Sequence, residues 1–362
     1  MSHFGVLTCV PGDTDLSKLE DVLGDILAPW DEGLEVQPYR RHEDGSPGDF
    51  WWVRSVRRGA ELHHAGGGLD AEDRRSALAS RPPATVEEKR AEYAEDARWA
   101  ERLGERPTWG DVVRLYNEKY HPGNEVAPVG DTSDSERLHY EPESDRAYTW
   151  STYNPESKWD YWRIGGRWAG HFVAKQMVAD LVFSARGWDS PKPADDGLLR
   201  CDGGRLSLLD LDAMRDVAAR EAHARYDKWE AISAETPSAK PWSHFGGLAE
   251  LKEITLDEAR RRYHSQPRVE RAHRDEEFRW GECVIDEFLP PRDEYVAEAR
   301  RGAVPGYALV TLDREWVAPG RMGWFGMSSD GPGERSGYCV AVNSYLDQLD
   351  PATFVVVVDC HI

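Results

Sequence analysis

No apolar run in these 362 residues approaches the ~20 residues that cross a bilayer as a helix; the longest, Phe354 to Val358, is a short stretch near the end. The opening "MSHFGVLTCV" has neither a basic n-region nor a small-residue cleavage site, so no secretory leader is expected there. Cysteine is sparse and odd in number: Cys9, Cys201, Cys283, Cys339 and Cys360, with no CxxC pair. That disfavours a disulfide framework and a cysteine zinc site, and points to free thiols in a reducing cytoplasm. HExxH, GxSxG, the phosphate-binding loop and GxGxxG are all missing, so no familiar catalytic signature fixes a reaction. Positive charge is short as well: 45 Lys and Arg stand against 66 Asp and Glu, a net −21. Such a surface repels phosphate backbones and argues against general nucleic-acid binding.

What the chain has in quantity is tryptophan, fifteen residues, each a large apolar surface with a single N–H donor. Several fall together in "NPESKWDYWRIGGRWAGHF", residues 154–172, interleaved with two arginines around a Gly-Gly pair.

Periodicity gives the outline of a fold. Residues 3–10 read as a buried strand, and Leu16 to Leu27 as a helix stopped by Pro29. "FWWVRSV" (50–56) reads as a strand. Thr85 with Glu88, and Thr255 with Glu258, carry capping-box spacing ahead of helices, the second ended by Pro267. Helices are expected over about 109–119, 211–232, 291–301 and 338–349, a β region over 136–175, strands at 306–313 and 353–362, and loops at 121–135 and 320–337. Strand–helix at one end and helix–strand at the other match the outer halves of a ferredoxin-like unit. The expectation is therefore an α+β protein. Residues 1–60 and 300–362 would form an antiparallel ferredoxin-like sheet carrying both termini, with two helices on one face. Residues 61–299 would form a largely helical insertion or second lobe that includes the β region 136–175.

If the terminal strands pair, His3, Asp359 and His361 converge at one end of the sheet, since Asp359 and His361 share a strand face. Two imidazoles and a carboxylate suit general acid–base work or a divalent metal; solvated polar residues at a sheet end are the plainer alternative. A processed Ser2 would add an amine nearby. In the central stretch Arg163 and Arg167 offer planar forks for an anion, Gly165 and Gly166 allow close backbone approach, and Trp159, Trp162 and Trp168 could wall a flat ligand. A tryptophan-rich core with the arginines paired to Asp160 or Glu156 is the competing reading. Arg321 and Trp324 in "GRMGWFGM" repeat the same chemistry in a loop, as a lid or second wall. His264 and His273 do not have the spacing of metal ligands on one helix.

Three segments, "MSHFGVL", "NPESKWDYWRIGGRW" and "RMGWFGM…VVVVDCHI", resemble a family of uncharacterised proteins from actinobacterial phages and their hosts. Members open on SHF, carry a central SKWDWY-x-IGGRW-like motif and finish on VVDCHI. The match covers the two ends and the centre of the chain; here "WDYWRIGG" changes the order of aromatics and "MGWFG" replaces a double Trp. The resemblance implies a phage or mobile-element context and no reaction. Three functions remain open at this point: an accessory protein that binds or transforms a small, flat, anionic, nucleotide-like ligand; a host-factor interaction protein using exposed Trp and Arg; and a metal-dependent hydrolase centred on His3, Asp359 and His361.

Overall fold

The structure, a computed structural model, describes residues 2–65, 85–123, 130, 132–192, 196–322 and 327–362. The chain forms two compact units. One joins residues 1–32 to 156–362; the other is residues 33–155. The division differs from the expected insertion at 61–299: the boundary at 155/156 cuts through the 136–175 β region, and residues 156–299 belong with the termini.

The larger unit is built on a mixed sheet. Its strands are β1 (His3–Val10), β5 (Tyr161–Ile164), β8 (Gly203–Arg205), β9 (Ala308–Val310), β10 (Trp316–Val317) and β11 (Phe354–His361), in the order β10-β9-β1-β11-β5, with β8 also pairing to β11. β1 and β11 run antiparallel over their whole length, from His3 opposite His361 to Val10 opposite Phe354, as expected for the termini. The ferredoxin-like order is not what forms. β9 lies directly beside β1 and parallel to it, where a split βαβ arrangement would put an antiparallel strand between them.

β1 and β11 are apolar on both faces because both faces are covered. Phe4, Val6, Val10, Val356 and Val358 pack under α1 (Leu19–Leu27) through Leu19, Leu23, Ile26 and Leu27. Leu7, Cys9, Val355 and Val357 pack against the C-terminal helix Pro332–Gln348 through Tyr338, Cys339, Val342 and Leu346. The two helices expected on one face thus sandwich the sheet from opposite faces.

A helical region follows β8. It contains α5 (Leu211–Glu235), α6 (Trp242–Glu250), α7 (Leu256–His264), α8 (Pro267–His273), α9 (Val284–Glu287) and α10 (Arg292–Gly302); the C-terminal helix is α11. Its core holds Trp229 stacked on Phe288 at 4.8 Å, with Tyr263 and Phe278 fully buried. Pro267 opens α8 rather than breaking α7, which ends at His264.

The smaller unit has the sheet β2-β4-β3 (Tyr39–His42, Arg146–Ser151, His139–Glu141) with α2 (Trp51–His64), α3 (Val86–Leu103) and α4 (Trp109–Tyr120). Residues 50–56, expected as a strand, begin α2. Trp52, Val53 and Val56 are buried at helical spacing, so the periodicity overrides the β preference of Trp and Val. The capping box at Thr85 forms in full, with Glu88 returning to the Thr85 N–H at 2.7 Å. Among the described residues no helix is long and apolar enough to cross a membrane.

Candidate functional site

The β1–β11 register sets His3 opposite His361 and Gly5 opposite Asp359, and β5 adds Arg163 opposite Asp359 on the other side. These side chains share the face of Leu7 and Val357, at the end of the sheet where that apolar face stops. Asp359 is buried, 1% exposed. It accepts from His3 Nδ1 at 2.9 Å, from the Arg167 backbone N–H at 3.0 Å, and from Arg163 Nε and an Arg163 terminal nitrogen at 3.4 Å each. Such a carboxylate is stable in the interior because each partner is a donor and one carries full charge.

His361 is held the same way by a different carboxylate, its Nδ1 donating to Asp160 at 2.6 Å. The two imidazoles meet edge to face with ring centres 4.8 Å apart. Carboxylates only accept, so both Nδ1 atoms carry protons and both Nε2 atoms are left as bases in the neutral rings. Among the described residues neither Nε2 takes a hydrogen-bond partner.

Gly165 and Gly166 turn the chain out of β5 with φ of +67° and +53°. The turn threads between two buried carboxylates. A Cβ on Gly166 would sit 2.2 Å from Asp359 Oδ2; one on Gly165 would sit 2.5 Å from Ser184 Oγ and 2.9 Å from the Asp202 carboxylate. Asp202 itself accepts the backbone N–H groups of Gly170 at 2.6 Å and Ser184 at 2.5 Å. Only glycine leaves room for both while holding a left-handed backbone.

The two arginines part company. Arg163 is tied to Asp189 and Asp359. Burial disfavours its charge, but the two carboxylates outweigh that and hold it more firmly protonated than usual. Arg167 keeps a 44% exposed side chain, with only a 3.7 Å approach to Asp189. Asp189 is pushed up by burial and brought below the usual carboxylate range by Arg163 and Arg167.

The tryptophans do not wall one pocket. Trp159 is buried and Trp162 half-buried on the α1 face, opposite the histidines. Trp168 lies on the histidine face, where its indole covers Gly5; a Cβ there would be 3.0 Å from Trp168 Nε1. A groove of about 540 Å³ lies elsewhere, lined in part by Arg215, Arg300, Arg301 and Asn343. Its arginines are paired with Asp212, Asp216 and Glu298. Arg321 bonds through its backbone to Ser329, while Trp324 lies outside the described residues. Among the described residues, no three His, Cys, Asp or Glu side chains are placed to hold a metal ion. Asp359 is committed to His3, Arg163 and the Arg167 N–H, so of the set His3, Asp359 and His361 only the two Nε2 atoms are left to ligate, fewer than a metal centre needs. The thiols offer no nucleophile here: burial pushes Cys9 up to about 12 and Cys201 up to about 11.

No protein-family model, curated protein or solved structure matches the chain.

Site residues that the sequence reading missed are Asp189 and Asp202; Asp160 enters it as a partner for the arginines, whereas the structure pairs it with His361. Asp160 lies within the quoted motif and its alternation with Tyr161 was available as a signal. Asp189 lies in a loop and Asp202 between strands of two and three residues, where no periodicity marks them.

Proposed function

We propose that the histidine end of the central sheet is an acid–base site for a small, anionic, nucleotide-like ligand. His3 and His361 are the proton-handling pair and Arg167 is the anion contact. The observation that carries this reading is the pair itself: two imidazoles 4.8 Å apart, each fixed at Nδ1 by its own carboxylate, with both Nε2 atoms unpartnered among the described residues. Oriented in this way, one neutral ring can accept a proton while the other, protonated, donates one. The reaction class that fits is hydrolysis of a phosphoester. Water loses its proton to one Nε2 as its oxygen bonds to phosphorus, the ester P–O bond breaks, and the leaving oxygen takes a proton from the other ring. Arg167 supplies a fixed positive charge for the phosphoryl oxygens. The free state of all five cysteines supports a reducing, cytoplasmic setting, and the phage context rests on the sequence resemblance.

A second reading, a protein that docks a host factor, draws on Trp280, 86% exposed in the helical region.

The test is turnover of nucleotides and of nitrophenyl phosphate mono- and diesters by the wild type, His3→Gln and His361→Gln. Each variant should lose about 100-fold or more in kcat, the lower end of what acid–base catalysis contributes, with the melting temperature kept. Turnover indifferent to both substitutions, or none with any phosphoester, removes the proposal.

A further inference from the structure

One tryptophan near the site is left in water. Trp188 is 93% exposed, whereas Trp159, Trp162 and Trp168 are all packed. It does not sit on a loose loop. The turn closes on itself through Ser190 N–H to the Gly187 carbonyl at 3.2 Å and Gly187 N–H to Ser190 Oγ at 2.9 Å. Its entry is tied by Arg186 donating to the Pro191 carbonyl at 2.6 Å. The next residue, Asp189, is clamped by Arg163, and Gly187 lies against the same guanidinium, where an added Cβ would be 3.3 Å away. Arg163 in turn reaches Asp359, the partner of His3. The turn is thus tied to the acid–base cluster through Asp189, and the single large apolar side chain it carries stands in solvent.

A solvated indole next in the chain to Asp189, which the half-exposed Arg167 approaches to 3.7 Å, has the composition of a stacking platform. The ring of a ligand gains contact without ordering the backbone, since the turn is already closed, and an indole has only two side-chain torsions to fix. We infer that Trp188 is the ring-binding residue of this site: a nucleobase stacks on its indole while the phosphate meets Arg167. This rests on the acid–base reading above and adds to it the part of the ligand that reading leaves open, an aromatic ring joined to the anion. The arrangement favours purines over pyrimidines, because the larger ring covers more of the indole.

The experiment is titration calorimetry of a nucleoside 5′-monophosphate and of ribose 5-phosphate, which has the same anion without the ring. Both are run against wild type, Trp188→Ala, Trp188→Phe and Arg167→Lys. The wild type should bind the nucleotide more tightly. Trp188→Ala should weaken the nucleotide by about 5- to 150-fold, the range one stacked base is worth, and leave ribose 5-phosphate unchanged. Trp188→Phe should restore most of the loss. An unchanged nucleotide affinity in Trp188→Ala, with Arg167→Lys still weakening both ligands, overturns the role of Trp188 and leaves the anion site standing. Equal weakening of both ligands by Trp188→Ala also overturns it. If the wild type binds neither ligand, the acid–base reading falls and this inference with it.

Discussion

Replacing Gly166 with alanine tests what the Gly-Gly pair is for. The residue has φ +53°, and its Cβ would be 2.2 Å from Asp359 Oδ2, 2.5 Å from Asp359 Cβ and 2.7 Å from Arg163 Nε. None of these neighbours is a free chain end: Asp359 is pinned by four donors and stands on the central strand. A left-handed residue with a Cβ costs roughly 1–2 kcal/mol. Overpacking adds about 1–3 kcal/mol, and displacing the carboxylate from one charge-assisted partner about 1.5–3 kcal/mol more. Because relief of one strain relieves part of the others, about 3–5 kcal/mol is the expected total. Urea denaturation should show the midpoint moving down with an unchanged slope. Gly337, inside α11, is the control, since a Cβ there meets nothing within 4 Å. Gly337→Ala should stabilise by about 0.5–1 kcal/mol. A loss under about 1 kcal/mol for Gly166→Ala would refute the argument that the turn is shaped around Asp359.

Arg167→Lys keeps the charge and the exposed position but loses the fork; anion affinity should fall about 5- to 20-fold with stability within about 0.5 kcal/mol, read by calorimetry and thermal melting. His171 donates to the Val304 carbonyl at 2.9 Å, and burial holds its pKa below the ordinary imidazole value. The unfolded chain therefore binds the proton more readily, so His171 contributes stability that is complete above pH ~6.5 and declines as pH falls below that value. Melting temperature should drop between pH 7 and 5, and His171→Gln should flatten that slope. Trp159 is buried with its Nε1 unpartnered, so Trp159→Phe removes an unsatisfied donor together with some apolar area. The two oppose, and denaturant midpoints should report a net loss of no more than about 1 kcal/mol.

The terminal strands were readable because their apolar residues are continuous and long, and the helix starts because Thr and Glu at three-residue spacing have few other uses. The convergence of His3, Asp359 and His361 followed from strand alternation once the two ends paired. The faces were misassigned although the signal was present: Phe354 to Val358 is apolar at every position, which calls for cover on both sides. β5 and β8 carried no comparable signal. One is four residues with mixed exposure, the other begins with two glycines, and both take strand form through pairing to β11, with Val182 also bridging Gly203. The tryptophans misled for a related reason. The Gly165–Gly166 turn takes the chain out of β5 after Trp162, so Trp168 packs on the opposite face of the sheet although it lies only six residues on.

β11 pairs with β1, β5 and β8, and it follows all three in the chain. Until it arrives, three strands present open edges, and β1 waits for a partner whose first contact, His3 with His361, spans nearly the entire length of the chain. The sheet therefore cannot close until β11 has been made. The helical region and the smaller unit, whose cores draw on residues already made, have no such requirement. The interval between them is when unpaired edges are exposed to other chains, and a holding chaperone would have its greatest effect there.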